Sequence, residues 1–147
     1  YRSIKNKKKI ILRNPNSVRP WQHVLEPLSG YIILAESMYY KKNHSVKPNW
    51  NFGPNISSCK SVKYIAQKFS NSSNCKIKII KTKSNSSKSE TDLLRLSNLK
   101  SKKYLKWYPK WNLNKTINKI IEWNQEIIRT KNAKNICTKQ INEYLKD

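Results

Sequence analysis

Arg13–Glu36 reads RNPNSVRPWQHVLEPLSGYIILAE, and its interpretation sets the frame for the rest of the chain. Asn14-Pro15-Asn16 signals a turn, since Pro presets φ and Asn bonds locally to its own backbone. Arg19-Pro20-Trp21 continues the loop. From about Val24 a helix is expected to run to about Tyr40, because Val24, Leu25, Leu28, Tyr31, Ile32, Leu34, Ala35, Met38 and Tyr39 fall on one broad face. Pro27 sits in the first turn, where the amide it lacks has no helical partner. The loop therefore delivers Arg19, Trp21 and His23 directly onto a helix N-terminus. A guanidinium is always charged and binds two oxygens of a diphosphate at once. The helix N-terminus adds partial positive charge nearby. An indole beside them packs on a base, ribose or sugar face. The same residues also read as core (Trp21) and as surface (Arg19), and pattern alone does not separate the two readings.

Outward from this segment the pattern is helical with little sheet. Tyr1–Lys8 reads as a helix end and a basic turn. Lys9–Leu12, Asn49–Phe52 and Lys76–Ile80 read as short strands. Helices are expected at Ser61–Ser70 and Asn98–Lys106, then from an Asn112 N-cap through Ile128, and finally at Ala133–Leu145. Lys81–Lys88, KTKSNSSK, reads as a polar surface loop. The sum is a small α/β lobe of several helices and three short strands in one domain, residues 1–147.

The formal charge of +23 points towards polyanions, but its distribution points elsewhere. Lys and Arg number 10 in residues 1–50, 10 in 51–100 and 11 in 101–147, and 26 of the 31 are Lys. An even, Lys-dominated spread lacks the Arg clusters that read base edges. Together with 18 Asn and 17 Ile against 2 Gly and 3 Ala, it reads as an AT-rich coding bias at tolerant surface positions. Non-specific, salt-sensitive adhesion is expected from it, and no specific nucleic-acid site.

Several chemistries are excluded. With only Gly30 and Gly53, neither a dinucleotide fingerprint nor a phosphate loop can be built. Cys59, Cys75 and Cys137 form no CxxC pair, and His23 and His44 are the only histidines, so no metal site is legible. The few acids are scattered and form no carboxylate pair. Tyr1/Lys5 and Tyr64/Lys68 have Tyr-x-x-x-Lys spacing, but in a chain this rich in Lys they read as surface or structural pairs. No apolar run approaches a membrane span.

In order along nearly the whole chain, five segments carry a resemblance. They are Asn14–Glu36, Trp50-Asn51-Phe52-Gly53-Pro54, Ser89–Leu96, Lys106-Trp107-Tyr108-Pro109-Lys110-Trp111 with Ile121-Glu122-Trp123, and Thr138–Ile141 with Tyr144. Together they resemble the C-terminal, substrate-binding portion of bacterial CDP-glucose 4,6-dehydratases, of the extended short-chain dehydrogenase/reductase family. Family members use tightly held NAD to oxidise the sugar at C4, eliminate water across C5 and C6, and return the hydride to C6. The resemblance implies a nucleotide-sugar-binding lobe whose Rossmann half, with the NAD site and the catalytic Tyr-x-x-x-Lys, lies upstream. It implies no catalytic residue and no cofactor in this chain itself. Arg19 would hold the diphosphate, and Trp21 and His23 would shape the pocket beside it. Asn51 would donate an amide on the nucleotide side, where Glu90 would line the pocket. For Trp21, His23 and Glu90 packing is an equal alternative, and for Asn51 turn stabilisation is. The expected partners are a CDP-sugar and the cofactor domain, in a cytoplasmic homo-oligomer of O-antigen sugar synthesis, with no membrane. A basic polyanion-binding protein and a decayed non-catalytic piece are the alternatives. Three positions depart from the family pattern: Ser89 replaces a usual His, Ser97 a usual Asp, and Lys106 a usual Gly. An isolated lobe should also expose the apolar face that packs on the cofactor domain.

Overall fold

The computed structural model describes residues 3, 6, 8–41, 49–73, 76–79 and 92–147. Among them the order is β1 (Ile10–Leu12), β2 (Val18–Pro20), α1 (Leu25–Lys41), a 3₁₀ turn (Ile56–Ser58), β3 (Cys59–Ser61), α2 (Val62–Ser73), β4 (Ile77–Ile79), α3 (Leu99–Leu105), α4 (Leu113–Thr130) and α5 (Ala133–Lys146). This is a helix-rich α/β lobe with a few short strands, as expected. β1 and β4 pair in parallel, Ile10 opposite Ile77. β2 and β3 pair antiparallel, Val18 opposite Ser61 and Arg19 opposite Lys60. The other edge of β2 is closed too, since the Val18 N–H donates to the Asp92 carbonyl at 2.7 Å and the Leu94 N–H to that of Val18 at 3.1 Å.

The core sits where α2 meets α4. Ile65, Leu113 and Ile117 are buried against one another, with Trp21, Tyr64, Phe69 and Ile121 packed around them. Helical spacing of Leu113, Ile117 and Ile121 puts them on one face. Asn112 caps α4 as its sequence implies, its side chain accepting from the Lys115 N–H at 2.9 Å. Lys131 ends α4 with φ 55°, and Asn132 then caps α5, so the two helices fold back as a hairpin.

Two expectations about the sheet are corrected. Asn49–Phe52 is not a strand. Side chains take the place of a partner strand: Lys100 Nζ donates to the Asn49 carbonyl at 2.9 Å, Ser101 Oγ to that of Asn51 at 2.9 Å, and Gln22 Nε2 to that of Phe52 at 2.7 Å. Asn98 Nδ2 takes the Gly53 carbonyl at 2.9 Å. Conversely, the Arg19-Pro20 stretch expected as loop is β2. Pro20 is accommodated as its last residue, where a missing N–H costs least.

α1 forms close to its expected bounds, but its wide apolar face is not the buried one. Glu26, Ser29, Gly30 and Ile33 face the lobe, whereas Val24 and Ile32 are each 61% exposed, and Leu28, Tyr31 and Met38 are exposed beside them. Gly30 is required there, because a Cβ would lie 2.5 and 2.7 Å from Cγ and Cε1 of Phe52. The Phe52 ring stands edge-on to Trp107, with centroids 5.2 Å apart. At the end of α3, Lys106 adopts φ 54°, the left-handed cap that Gly fills without strain. The departure from the family glycine therefore costs about 1 kcal/mol. Ser89, Glu90, the Tyr1/Lys5 pair, His44, Cys75 and the Lys81–Lys88 loop lie outside the described residues.

Candidate functional site

Arg19 is the central residue of β2, half-buried, and its Nη1 donates to the Val18 carbonyl at 2.9 Å. Its cross-strand partner is Lys60. Directly opposed residues of an antiparallel pair share a face, and like charges there repel. A bound anion on that face would reverse the sign of the interaction. Lys60 was not legible as a site residue, because nothing in Cys59–Ser61 marks a strand. Its ammonium also lies 5.9 Å from the Tyr64 ring centre, and Lys68 lies 5.6 Å from the same ring. The Tyr64/Lys68 pair is thus a ring-and-cation contact at the edge of the core.

Trp21 packs against the Ile65/Leu113/Ile117 core, and its Nε1–H donates to the Lys60 carbonyl at 2.8 Å. It fixes β3 beside β2 and so fixes the Arg19–Lys60 register. His23 is buried at the entry to α1. Its Nδ1 accepts from the Leu25 N–H at 3.3 Å and its ring lies 4.9 Å from that of Trp111. Burial first, and the Lys119 charge second, hold its pKa below the ordinary 6.5. His23 is therefore neutral in the fold. The unfolded chain protonates it near pH 6.5, so its contribution to stability is complete above that pH. The contribution is lost as pH falls towards the lower folded-state value. Urea midpoints measured from about pH 7.5 down to about pH 5.5 should fall more for the native chain than for His23→Asn. Parallel slopes would reject the assignment.

The residue that organises this end of the lobe is Glu26, which is 0% exposed. Its Oε1 accepts from the Trp111 N–H at 2.7 Å, and its Oε2 from the Lys110 N–H at 3.1 Å and the Tyr144 hydroxyl at 2.8 Å. Ser29 Oγ lies 3.0 Å from that hydroxyl and accepts from Trp107 Nε1–H at 2.9 Å. Burial, and next to it the Glu26 carboxylate, push the Tyr144 phenol well above its ordinary range, while Ser29 works the other way. Tyr144 stays neutral and serves as a donor. Sequence reasoning quoted Glu26, the Trp107–Trp111 run and Tyr144 as parts of three separate segments. The fold joins them in one network that clamps the C-terminal helix to the start of α1.

Asn51 is exposed, in the side-chain-pinned stretch beside Gln22. The Gln22–Phe52 hydrogen bond links that stretch to the segment between β2 and α1 that carries Trp21 and His23. An apolar cavity of about 370 Å³ opens between the start of α1 and the α4–α5 hairpin, with His23, Leu28, Trp123, Cys137 and Ile141 among its walls. It touches the exposed face of α1 and carries no convergent polar groups beyond His23 and Gln140. The described residues contain no cluster of His, Cys, Asp or Glu able to hold a metal ion. Among the described residues no helix is long and apolar enough to cross a membrane.

Along 145 residues the chain is 37% identical to the CDP-glucose 4,6-dehydratase of Salmonella typhimurium (strain LT2). It matches the C-terminal portion of that dehydratase. The match covers 98% of this chain and 40% of the dehydratase. No family model matches the chain. Neither of the chain's two glycines is placed to cradle a dinucleotide's phosphates. Gly30 is packed under Phe52 and Gly53 against Leu96, where a Cβ would meet the Leu96 Cβ at 2.7 Å. Neither glycine has a positive φ, so neither opens a phosphate-binding turn.

Proposed function

We propose that residues 1–147 are one nucleotide-sugar-binding lobe of a CDP-glucose 4,6-dehydratase-like enzyme, with Arg19 gripping the diphosphate of a CDP-sugar. The identity to the Salmonella dehydratase along nearly the whole chain carries this reading. The opposition of Arg19 and Lys60 across the β2–β3 ladder supports it, because two cations on one face suit a ligand with two phosphates. Trp21 and His23 shape the pocket from packed positions, holding the strand and the helix start beside the diphosphate. Asn51 donates its amide on the nucleotide side, and Glu90 lines the pocket there. The enzyme as a whole would take NAD on its cofactor domain and work as a cytoplasmic homo-oligomer. The exposed face of α1 supports such a domain as a neighbour, since a lobe built to stand alone has no use for an apolar stripe in water.

The test is Arg19→Ala in the enzyme that contains this lobe. Loss of a charge-assisted hydrogen bond should cost about 1.5–3 kcal/mol, weakening CDP-glucose binding by about 10- to 150-fold in calorimetric titration. Unchanged affinity would remove Arg19 from the diphosphate site.

A further inference from the structure

Four of the chain's eight acids gather on one hairpin, although the cations are even in sequence. Glu122, Glu126, Glu143 and Asp147 all lie on or beside the α4–α5 hairpin, where Lys119 bridges Glu122 and Glu143 at 2.8 and 2.6 Å. Lys115 meets Asp147 at 2.6 Å, and Arg129 meets Glu126 at 2.7 Å. No Asp or Glu occurs from Ser37 to Ser89 or from Leu93 to Ile121. Residues 49–61 and 93–110 consequently carry no acidic side chain of their own, and α3 is the α-helix among them.

On that helix cations and aromatic rings alternate in contact. Lys100 Nζ stands 4.3 Å from the Trp50 ring centre, and Trp50 lies 6.4 Å edge-on from Tyr104. Lys103 Nζ is 5.3 Å from the Tyr104 ring, and Lys102 Nζ is 5.8 Å from that of Tyr108. Lys102 is further fixed by Asn55 Oδ1 at 3.1 Å. Tyr104 and Tyr108 are exposed, at 59% and 57%. Lysines also meet rings at Trp111 and Tyr144, but those rings are buried, whereas here the tyrosines are exposed and stand in a stretch of sequence without acids.

We infer that α3, with Trp50 and Tyr108 beside it, is a platform for single-stranded nucleic acid, bound without sequence preference. Phosphates sit on the ammonium groups, and unstacked bases stack on the tyrosine rings, which accept any base. A duplex keeps its bases inside the stack and gains only the charge contacts. An anionic membrane fits less well, because α3 is only seven residues long and offers no continuous apolar stripe of the kind an interfacial helix buries.

Fluorescence anisotropy with labelled oligo-dT, over a salt series on the full 147-residue chain, tests this. Tyr104→Ala with Tyr108→Ala should weaken oligo-dT by about tenfold or more and leave heparin binding unchanged. Lys102→Gln with Lys103→Gln should lower the salt slope by about 1.4, from about 0.7 per phosphate contact in a single strand. Lys63→Gln with Lys78→Gln removes the same charge from α2 and β4 and should change the slope far less. Equal losses from the two lysine pairs would overturn the inference in favour of diffuse attraction. So would tyrosine variants that bind as the native chain does, or tighter binding to phosphatidylserine vesicles than to oligo-dT. Thermal melts of each variant separate lost binding from lost fold.

Discussion

Glu26→Ala should destabilise the lobe by about 3–5 kcal/mol, the loss expected when a buried, fully hydrogen-bonded carboxylate is removed and its partners stay behind. Those partners are the Lys110 and Trp111 amides and the Tyr144 hydroxyl, none of which gains water in exchange. Small domains have only about 5–15 kcal/mol in hand, so the variant should sit close to its unfolding threshold. Tyr144→Phe keeps the ring against Trp111 and loses the hydroxyl, which should cost about 1–2 kcal/mol. The double variant should cost clearly less than the sum, because both changes break the same bond. Urea unfolding followed by Trp fluorescence reports all three. A Glu26→Ala cost below about 1 kcal/mol, the range of an exposed first-turn acid, would refute the clamp.

That clamp shows where sequence reading reaches its limit. In sequence Glu26 is an ordinary acid in the first turn of a helix, favourable to the dipole and nothing more. Its partners lie 84, 85 and 118 residues away. Spacing rules see neighbours within a turn or two, so no local pattern announces such a network. Where the determinants are local, the reading holds well. The α4 periodicity, its Asn112 cap and the span of α5 all stand as expected, because Leu113, Ile117 and Ile121 repeat on one face and Asn112 needs only Lys115.

Strands were harder for the same reason. Asn49–Phe52 has strand-like residues, but Lys100, Ser101 and Gln22 occupy the carbonyls a partner would need. β2 and β3 are three residues each, too short for alternation to show. Missing β3 meant missing Lys60, the cation that makes the surroundings of Arg19 look like an anion site. The even count of lysines along the chain likewise concealed that half of the acids gather on one hairpin. Turn residues and helical periodicity put Arg19, Trp21 and His23 on a loop entering a helix, and Arg19 instead stands on β2. It took the fold to separate their positions, Trp21 half-buried against the core, His23 buried at the helix start, and Arg19 half-buried on β2.

The second large effect concerns the outer face of α1. Val24→Gln, Ile32→Gln and Met38→Gln together should leave the stability of the 147-residue chain unchanged to within about 0.5 kcal/mol. All three side chains are more than half exposed, so nothing packed is lost. Had they been core, as an apolar stripe on a helix ordinarily implies, each truncation would cost about 2–5 kcal/mol. The stripe should instead reveal itself through association. The native chain should bind a hydrophobic dye and self-associate in sedimentation, and the triple variant should do neither to the same degree. When the chain is paired with a cofactor domain, the consequence grows. Burial of a large apolar side chain is worth about 1.5–3 kcal/mol, and these three are only partly covered beforehand. Their replacement should therefore remove about 3–5 kcal/mol of docking free energy, a loss of 100-fold or more in affinity. Stability unmoved with docking lost is a combination that a core role cannot produce, and stability lost with docking unmoved would assign α1 to the interior of this lobe instead.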